Sequence, residues 1–237
     1  MRRPKLILFD LDGTLLDSAP DLAHCVNVML GHFGHPPCPE EAVRTWVGNG
    51  TARLVGRALT ARLDGDPGAE AVAEALPVFM AAYAEHTLVH SVLYPGAREC
   101  LATLAGAGYA LGCVTNKAAR FTEPVLRQLG LQGAFGLVLS GDSLSEMKPH
   151  PAPLLHAAAH FGVPPADSLL VGDSVTDVQA ARAAGFGIIC MSYGYNHGRD
   201  IREAKPDAVL DSLTELPGLL SAAPLNKLPP QSPSSTP

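Results

Sequence analysis

Apolar residues fall along the chain in short runs rather than in strict alternation. Leu6–Phe9, Leu111–Thr115, Leu137–Ser140, Ser168–Val171 and Gly187–Met191 are such runs, with a weaker one at Ala208–Leu210, and turn-forming or polar residues bound each of them. A strand with no polar face must be covered on both sides. Between the later runs the apolar positions recur at helical spacing, over Ala119–Leu129, Ala152–Phe161 and Asp177–Ala184, with Gly185 placed as a C-cap after the last. Strands alternating with helices predict a doubly wound parallel α/β sheet, a Rossmann-like core whose ligands gather at the carboxyl ends of its strands.

One interval breaks the rhythm. Roughly 100 residues separate Phe9 from Leu111, where a βαβ unit needs about 30. The surplus reads as helical over Asp21–Leu30, Glu40–Val47, Thr51–Leu63 and Ala69–Glu85, and Tyr94-Pro95-Gly96 marks a return to the sheet. The expected organisation is therefore an α/β core made of 1–17 and 91–223 with an all-helical domain, 18–90, inserted after the first strand. The tail 224–237 repeats Pro and Ser without periodicity and is predicted to be disordered.

Composition narrows the function. The formal net charge is −6, and a nucleic-acid surface would need clustered Lys and Arg instead. Aromatic residues make up only 5% of the chain, so the core must be built from Ala, Leu and Val. Five cysteines (Cys25, Cys38, Cys100, Cys113, Cys190) are odd in number and contain no CxxC, which reads as reduced thiols in a cytoplasmic protein. The basic opening MRRPK is followed by only four apolar residues before Asp10, too few for a signal sequence or a membrane span. Nothing in the composition decides between a monomer and a homodimer.

The chemistry is concentrated at the predicted strand ends. The first run passes into Asp10-Leu11-Asp12-Gly13-Thr14, the second into Thr115-Asn116-Lys117, and the fourth into Gly172-Asp173-Ser174 with Asp177 four residues after Asp173. Lys148-Pro149 precedes the fourth run. Parallel topology brings these loops to one rim. A rim with Asp10, Asp12, Asp173 and Asp177 would be costly without counter-charge, and Mg²⁺, a hard cation that accepts carboxylates, water and phosphate oxygens, resolves the conflict. Asp10 and Asp12 sit two residues apart, so on an extended path both flank one substrate, one as a nucleophile and the other as a general acid and base. Gly13 lets the backbone turn so that N–H groups can face a phosphate. A small anionic phosphate ester is the partner this rim calls for.

The segments DLDGTLLDS, TN, KPHP and GDSVTD stand in the order and spacing of the four motifs of the haloacid dehalogenase superfamily, and the long insertion resembles that superfamily's helical cap. More narrowly, WVGNG, VTNK, KPHPAPLL and YGYNHG are similar to the phosphoglycolate phosphatase branch found in bacteria. The resemblance implies that Asp10 is the nucleophile and Asp12 the general acid and base. It implies Mg²⁺ held by the Asp10 carboxylate, the Asp12 backbone carbonyl and Asp173, a phosphoryl group held by Thr115 and Asn116, and Lys148 orienting Asp10. Asp177 is expected behind the metal ligands or as a helix cap, and Lys117 at the surface or, alternatively, near the phosphate. The implied activity is Mg²⁺-dependent hydrolysis of 2-phosphoglycolate through an aspartyl-phosphate. A phosphatase for a sugar phosphate such as N-acetylmuramic acid 6-phosphate, or a β-phosphoglucomutase-like mutase, shares the motifs. A non-catalytic protein on this fold would be expected to lack at least one of Asp10, Asp12, Lys148 or Asp173.

In the insertion, Gly48-Asn49-Gly50 precedes a helix for which Thr51 is the expected N-cap. A glycine-flanked loop at a helix N-terminus favours an anion, so Gly48, Asn49, Gly50 and Arg53 are candidates for reading the substrate's carboxylate. Two other patterns lead nowhere. His156 and His160 have zinc-helix spacing but lack the glutamate and a third ligand, and the Tyr193–Gly198 stretch reads as a turn or flap after the fifth run.

Overall fold

In the computed structural model, which describes residues 3–222, the six apolar runs form one parallel sheet. Its strands are β1 (Leu6–Phe9), β4 (Ala110–Val114), β5 (Leu137–Leu139), β6 (Ser168–Gly172), β7 (Gly187–Met191) and β8 (Ala208–Leu210), in the order β5-β4-β1-β6-β7-β8. From β1 the chain builds outward first on one side and then on the other, so the strand order reverses at β1. Phe9 lies opposite Cys113 on one neighbour and Val171 on the other. That reversal opens the crevice where a doubly wound sheet binds its ligand.

The four residues of β1 are wholly buried and alternate between two cores. Leu6 and Leu8 face α7 (Ala152–Phe161) and α8 (Val175–Ala184) through Leu154, Ala158 and Val178. Ile7 and Phe9 face α5 (Ala97–Gly106) and α6 (Ala119–Gln128) through Leu101, Leu104 and Leu126. Each such side chain contributes about 1.5–3 kcal/mol by its burial. A final helix, α9 (Leu216–Ala222), adds Leu216 and Leu220 to the second core. The sequence pattern did not predict α5, because Arg98, Glu99 and small residues interrupt the apolar positions Cys100, Leu101 and Leu104 that it buries.

Between β1 and β4 stand α1 (Ala19–His32), α2 (Glu40–Trp46), α3 (Thr51–Thr60) and α4 (Ala69–Glu85). They enclose an apolar cluster of their own, including Leu22, Val26, Met29, Trp46, Val55 and Phe79, which Phe121 and Tyr195 join from the sheet unit. The chain leaves and re-enters through a two-stranded antiparallel ribbon, β2 (Leu16–Asp17) against β3 (Val92–Leu93). Beside this ribbon the buried Asp21 carboxylate accepts the N–H groups of Val89, His90 and Ser91 at 2.9 Å each, and the Ser91 hydroxyl at 2.6 Å. The N-cap of α3 is Gly50, at φ 87°, and Thr51 is the first helical residue rather than the cap.

All five cysteines are free thiols, and all but Cys38 are buried. No helix among the described residues is long and apolar enough to cross a membrane. The tail expected to be disordered, 224–237, lies outside the described residues.

Candidate active site

Asp10 leaves the end of β1 with its own N–H on the Val171 carbonyl, which carries the strand path one residue further. Its Oδ1 accepts the Leu11 N–H at 2.7 Å and the Lys148 Nζ at 3.0 Å. Burial pushes the Asp10 carboxyl up to about 6, with Lys148 pulling it down and Asp177 pushing it up. The Lys148 side chain is 1% exposed, and its Nζ also meets Asp177 Oδ1 at 2.7 Å. Burial works against the Lys148 ammonium, but Asp10 and Asp177 outweigh it and hold the group charged. Asn116 fixes the backbone of this lysine, donating to the Lys148 carbonyl at 2.8 Å and accepting its N–H at 3.1 Å. The side chain of Asn116 is thus committed to the lysine loop.

Asp177 is a helix cap, one of its two expected roles, and it also pairs with Lys148. It completes a capping box with Ser174 at the start of α8 while its other oxygen holds Lys148. Burial pushes its carboxyl up, but Lys148 and the Ser174 hydroxyl more than offset that and hold it below the usual carboxylate range. Asp173 Oδ1 accepts the Thr14 hydroxyl at 2.8 Å and its Oδ2 the Tyr195 N–H at 2.6 Å. Burial, then Asp177 and Asp10, push the Asp173 carboxyl well above its ordinary value.

Asp12 lines the same cavity as Asp10. Its partner is Lys117, which of its two expected places takes the one away from the surface: it is buried and lines the cavity. Lys117 Nζ lies 3.1 Å and 3.2 Å from the two Asp12 oxygens, and it donates to the hydroxyl of Tyr83 on α4. The same ammonium stands 4.8 Å from the Tyr83 ring centre. Its backbone N–H donates to Thr115 Oγ1, leaving the Thr115 hydroxyl hydrogen free to point elsewhere.

Gly13 plays a different part from the one expected. Its N–H donates to the Leu16 carbonyl at 2.8 Å inside the turn, so it is not turned toward a phosphate. At φ 84°, a Cβ there would come within 2.4 Å of Asp173 Oδ2. The glycine is what lets the β1 turn approach Asp173. The stretch after β7 is a brace rather than a flap: Tyr195 is 5% exposed, and its hydroxyl accepts the Ser18 and Ala19 N–H groups while donating to Asp17. Asp17 in turn holds Arg44 of α2 with both oxygens, at 2.9 Å and 2.8 Å.

Gly48, Asn49 and Gly50 reach the cavity, together with Val47, Thr51 and Leu54. Asn49 Nδ2 donates to Thr176 Oγ1 of α8 at 3.2 Å, joining the loop to the sheet unit. Arg53 is a correction: it is exposed, contacts the Gly65 carbonyl, and does not line the cavity. The arginine that serves the loop is Arg57, buried, which donates to the Trp46 and Gly48 carbonyls and to Asn49 Oδ1. Helical side chains lean toward the N-terminus of their helix, so the residue one turn further on reaches back to the loop.

The donor set suits a divalent cation. Oxygen atoms of Asp10, Asp173 and Asp177 lie within 4.8 Å of one another. Four carboxylates and two ammonium groups line the cavity, leaving an excess of two negative charges. Asp177 is tied to the Lys148 ammonium and to the start of α8, whereas Asp173 pairs with no cation among the described residues. A cation there would offset the burial and the neighbouring negative charge that raise the Asp10 and Asp173 carboxyls, and an all-oxygen set favours a hard one.

A reversed parallel sheet with this carboxylate and lysine rim at its switch point defines a hydrolase class, and the chain belongs to it: residues 7–191 match the haloacid dehalogenase-like hydrolase family. The chain is similar to the phosphoglycolate phosphatase of Nitrosococcus oceani, at 54% identity over 223 residues covering 94% of this chain and 99% of the relative. It is 48% identical to the phosphoglycolate phosphatase of Nitrosospira multiformis over 91% of this chain and 95% of the relative. Among solved structures, a predicted phosphoglycolate phosphatase from Haemophilus somnus superimposes with a TM-score of 0.86 at 37% identity, covering 92% of this chain and 99% of that one.

Proposed function

We propose that this chain is a cytoplasmic, Mg²⁺-dependent phosphomonoester hydrolase whose preferred substrate is 2-phosphoglycolate. The observation that carries the reading is Asp10, set at the end of β1 where the strand order reverses, with Lys148 Nζ at 3.0 Å and Asp173 in the same carboxylate cluster. The substrate rests on the names of the relatives, and the compartment on five free thiols. The helical segment 18–90 is read as a cap over a core of 1–17 and 91–223, because it encloses its own apolar cluster and joins the sheet through a single ribbon.

In the mechanism, Asp10 attacks phosphorus and the bond to the ester oxygen breaks, leaving an aspartyl-phosphate. Asp12 gives the departing alkoxide its proton, then takes one from the water that attacks the same phosphorus, and Asp10 is regenerated as phosphate leaves. The Thr115 hydroxyl donates to the transferring group together with the Asn116 backbone, while the Asn116 side chain holds the loop of Lys148. Lys148 orients Asp10 and offsets charge. Mg²⁺, held by the Asp10 and Asp173 carboxylates and the Asp12 carbonyl, would supply neutralisation of the phosphoryl oxygens. Gly48, Asn49 and Gly50 wall the leaving-group side of the cavity.

The test is a phosphate-release screen of small phosphomonoesters with Mg²⁺, including phosphoglycolate, N-acetylmuramic acid 6-phosphate and hexose phosphates, with the organic products identified. Phosphoglycolate should give the highest kcat/KM, with glycolate and free phosphate as products. A better sugar phosphate would reassign the substrate, and a relocated rather than released phosphoryl would make the chain a mutase.

A further inference from the structure

The two buried lysines of the cavity are not equivalent. Lys148 is balanced by two carboxylates, Asp10 and Asp177. Lys117 has one, Asp12, and its other contact is the uncharged Tyr83 hydroxyl. The three donors of the Lys117 ammonium go to the two Asp12 oxygens, at 3.1 Å and 3.2 Å, and to the Tyr83 hydroxyl. The Tyr83 O–H has no acceptor among the described residues, and both groups line the cavity. An ammonium balanced by a single carboxylate and an unspent hydroxyl donor therefore stand side by side, next to Asp12.

The chemistry of the ester locates what they meet. In 2-phosphoglycolate a single methylene separates the carboxylate from the ester oxygen. Asp12 must reach that oxygen to protonate it, so the carboxylate falls within a few bonds of Asp12 and within reach of Lys117. Of the other basic side chains, Lys148 lies on the phosphoryl side, and Arg57 is turned onto the Trp46 and Gly48 carbonyls. We propose that the Lys117 ammonium and the Tyr83 hydroxyl form the subsite that receives the leaving group's carboxylate, selecting phosphate esters of short 2-hydroxy acids. This rests on the hydrolase reading above and names how its substrate is chosen. Tyr83 belongs to α4 and is wedged between the Phe79 and Phe121 rings, at centroid distances of 5.7 Å and 4.7 Å. The subsite is complete only with the helical segment seated on the sheet.

The experiment compares kcat/KM for phosphoglycolate with that for ethyl phosphate, which has a similar reacting end and no carboxylate. The wild type, Lys117→Met and Tyr83→Phe are measured with Mg²⁺, each checked for folding by its melting transition. The phosphoglycolate preference should fall about 100-fold in Lys117→Met and about tenfold in Tyr83→Phe, the scale of lost hydrogen bonds to a charged group. Lys117→Arg should recover part of the preference. A preference unchanged in either folded variant, with both esters losing rate in parallel, would overturn the subsite and leave Lys117 serving Asp12 alone. A wild type that hydrolyses ethyl phosphate as well as phosphoglycolate would instead overturn the substrate assignment itself. Should Lys117→Met fail to fold, Tyr83→Phe, which keeps the ring and its packing, decides the matter alone.

Discussion

All the charged groups that line the cavity come from the sheet side: Asp10, Asp12, Asp173, Asp177, Lys117 and Lys148. The helical side contributes Leu22, Val47, Gly48, Asn49, Gly50, Thr51, Leu54 and Tyr83, none of them charged. Charged groups that take part in bond making need fixed positions, and short turns off a buried sheet supply them. An uncharged, partly apolar wall can lie against that rim without new ion pairs to break when it lifts, and it excludes water when it is down. The division of labour is between chemistry below and selection above. Lys117 and Tyr83 mark where the two sides touch.

If the rim holds its charges by mutual pairing, removing one partner should cost more than any change in the helical wall. Lys148→Ala strands Asp10 and Asp177 in a buried site and should lower the unfolding free energy by about 3–5 kcal/mol in urea titrations. A loss under about 1 kcal/mol would mean that water already reaches these acids.

The tie between the two regions should be weaker. Asp21→Asn removes the charge that gathers three N–H groups of the returning chain, and about 1–3 kcal/mol is expected. Hydrogen exchange at Val89, His90 and Ser91 should rise with it, and unchanged protection there would show that β2 and β3 alone hold the junction.

The smallest effect sharpens the ionic side of the comparison. In the metal-free protein Asp10 is raised from 3.8 to about 6, so its proton-linked stability is full below the lower value and is lost as pH rises through the upper one. Cation binding competes with that proton and with the one on Asp173. The melting-temperature gain from added Mg²⁺ should therefore be largest near pH 8 and shrink as pH falls through about 6. A gain independent of pH would place the cation away from Asp10.

The strands and the rim acids are legible because their signals are local. A run such as Leu6–Phe9 and the turn after it carry the whole pattern, and α4 spans Ala69–Glu85 as its periodicity predicts. Lys117 is only partly legible: its place after Thr115-Asn116 allows the rim, but the acid that draws it inward is 105 positions away. Tyr83 follows Phe79 by one helical turn and reads as core; its ring is core, while its hydroxyl is not. Arg53 is near the glycine loop in sequence, whereas the backward lean of helical side chains points to Arg57. The stretch that holds Tyr195 is legible as a motif, but its bracing role is not, since the bonds to Asp17 and Asp173 are contacts that only the folded chain makes.

The account turns on Asp10 as the atom that receives the phosphoryl group. Acid-quenching the Mg²⁺-loaded enzyme during turnover of phosphoglycolate and mapping the modified peptide by mass spectrometry tests this directly. A phosphoryl adduct on Asp10 that forms and decays at rates consistent with kcat, and that Asp10→Asn abolishes together with turnover, is the predicted result. Steady turnover by a folded Asp10→Asn variant, or an adduct on any other residue, would contradict it.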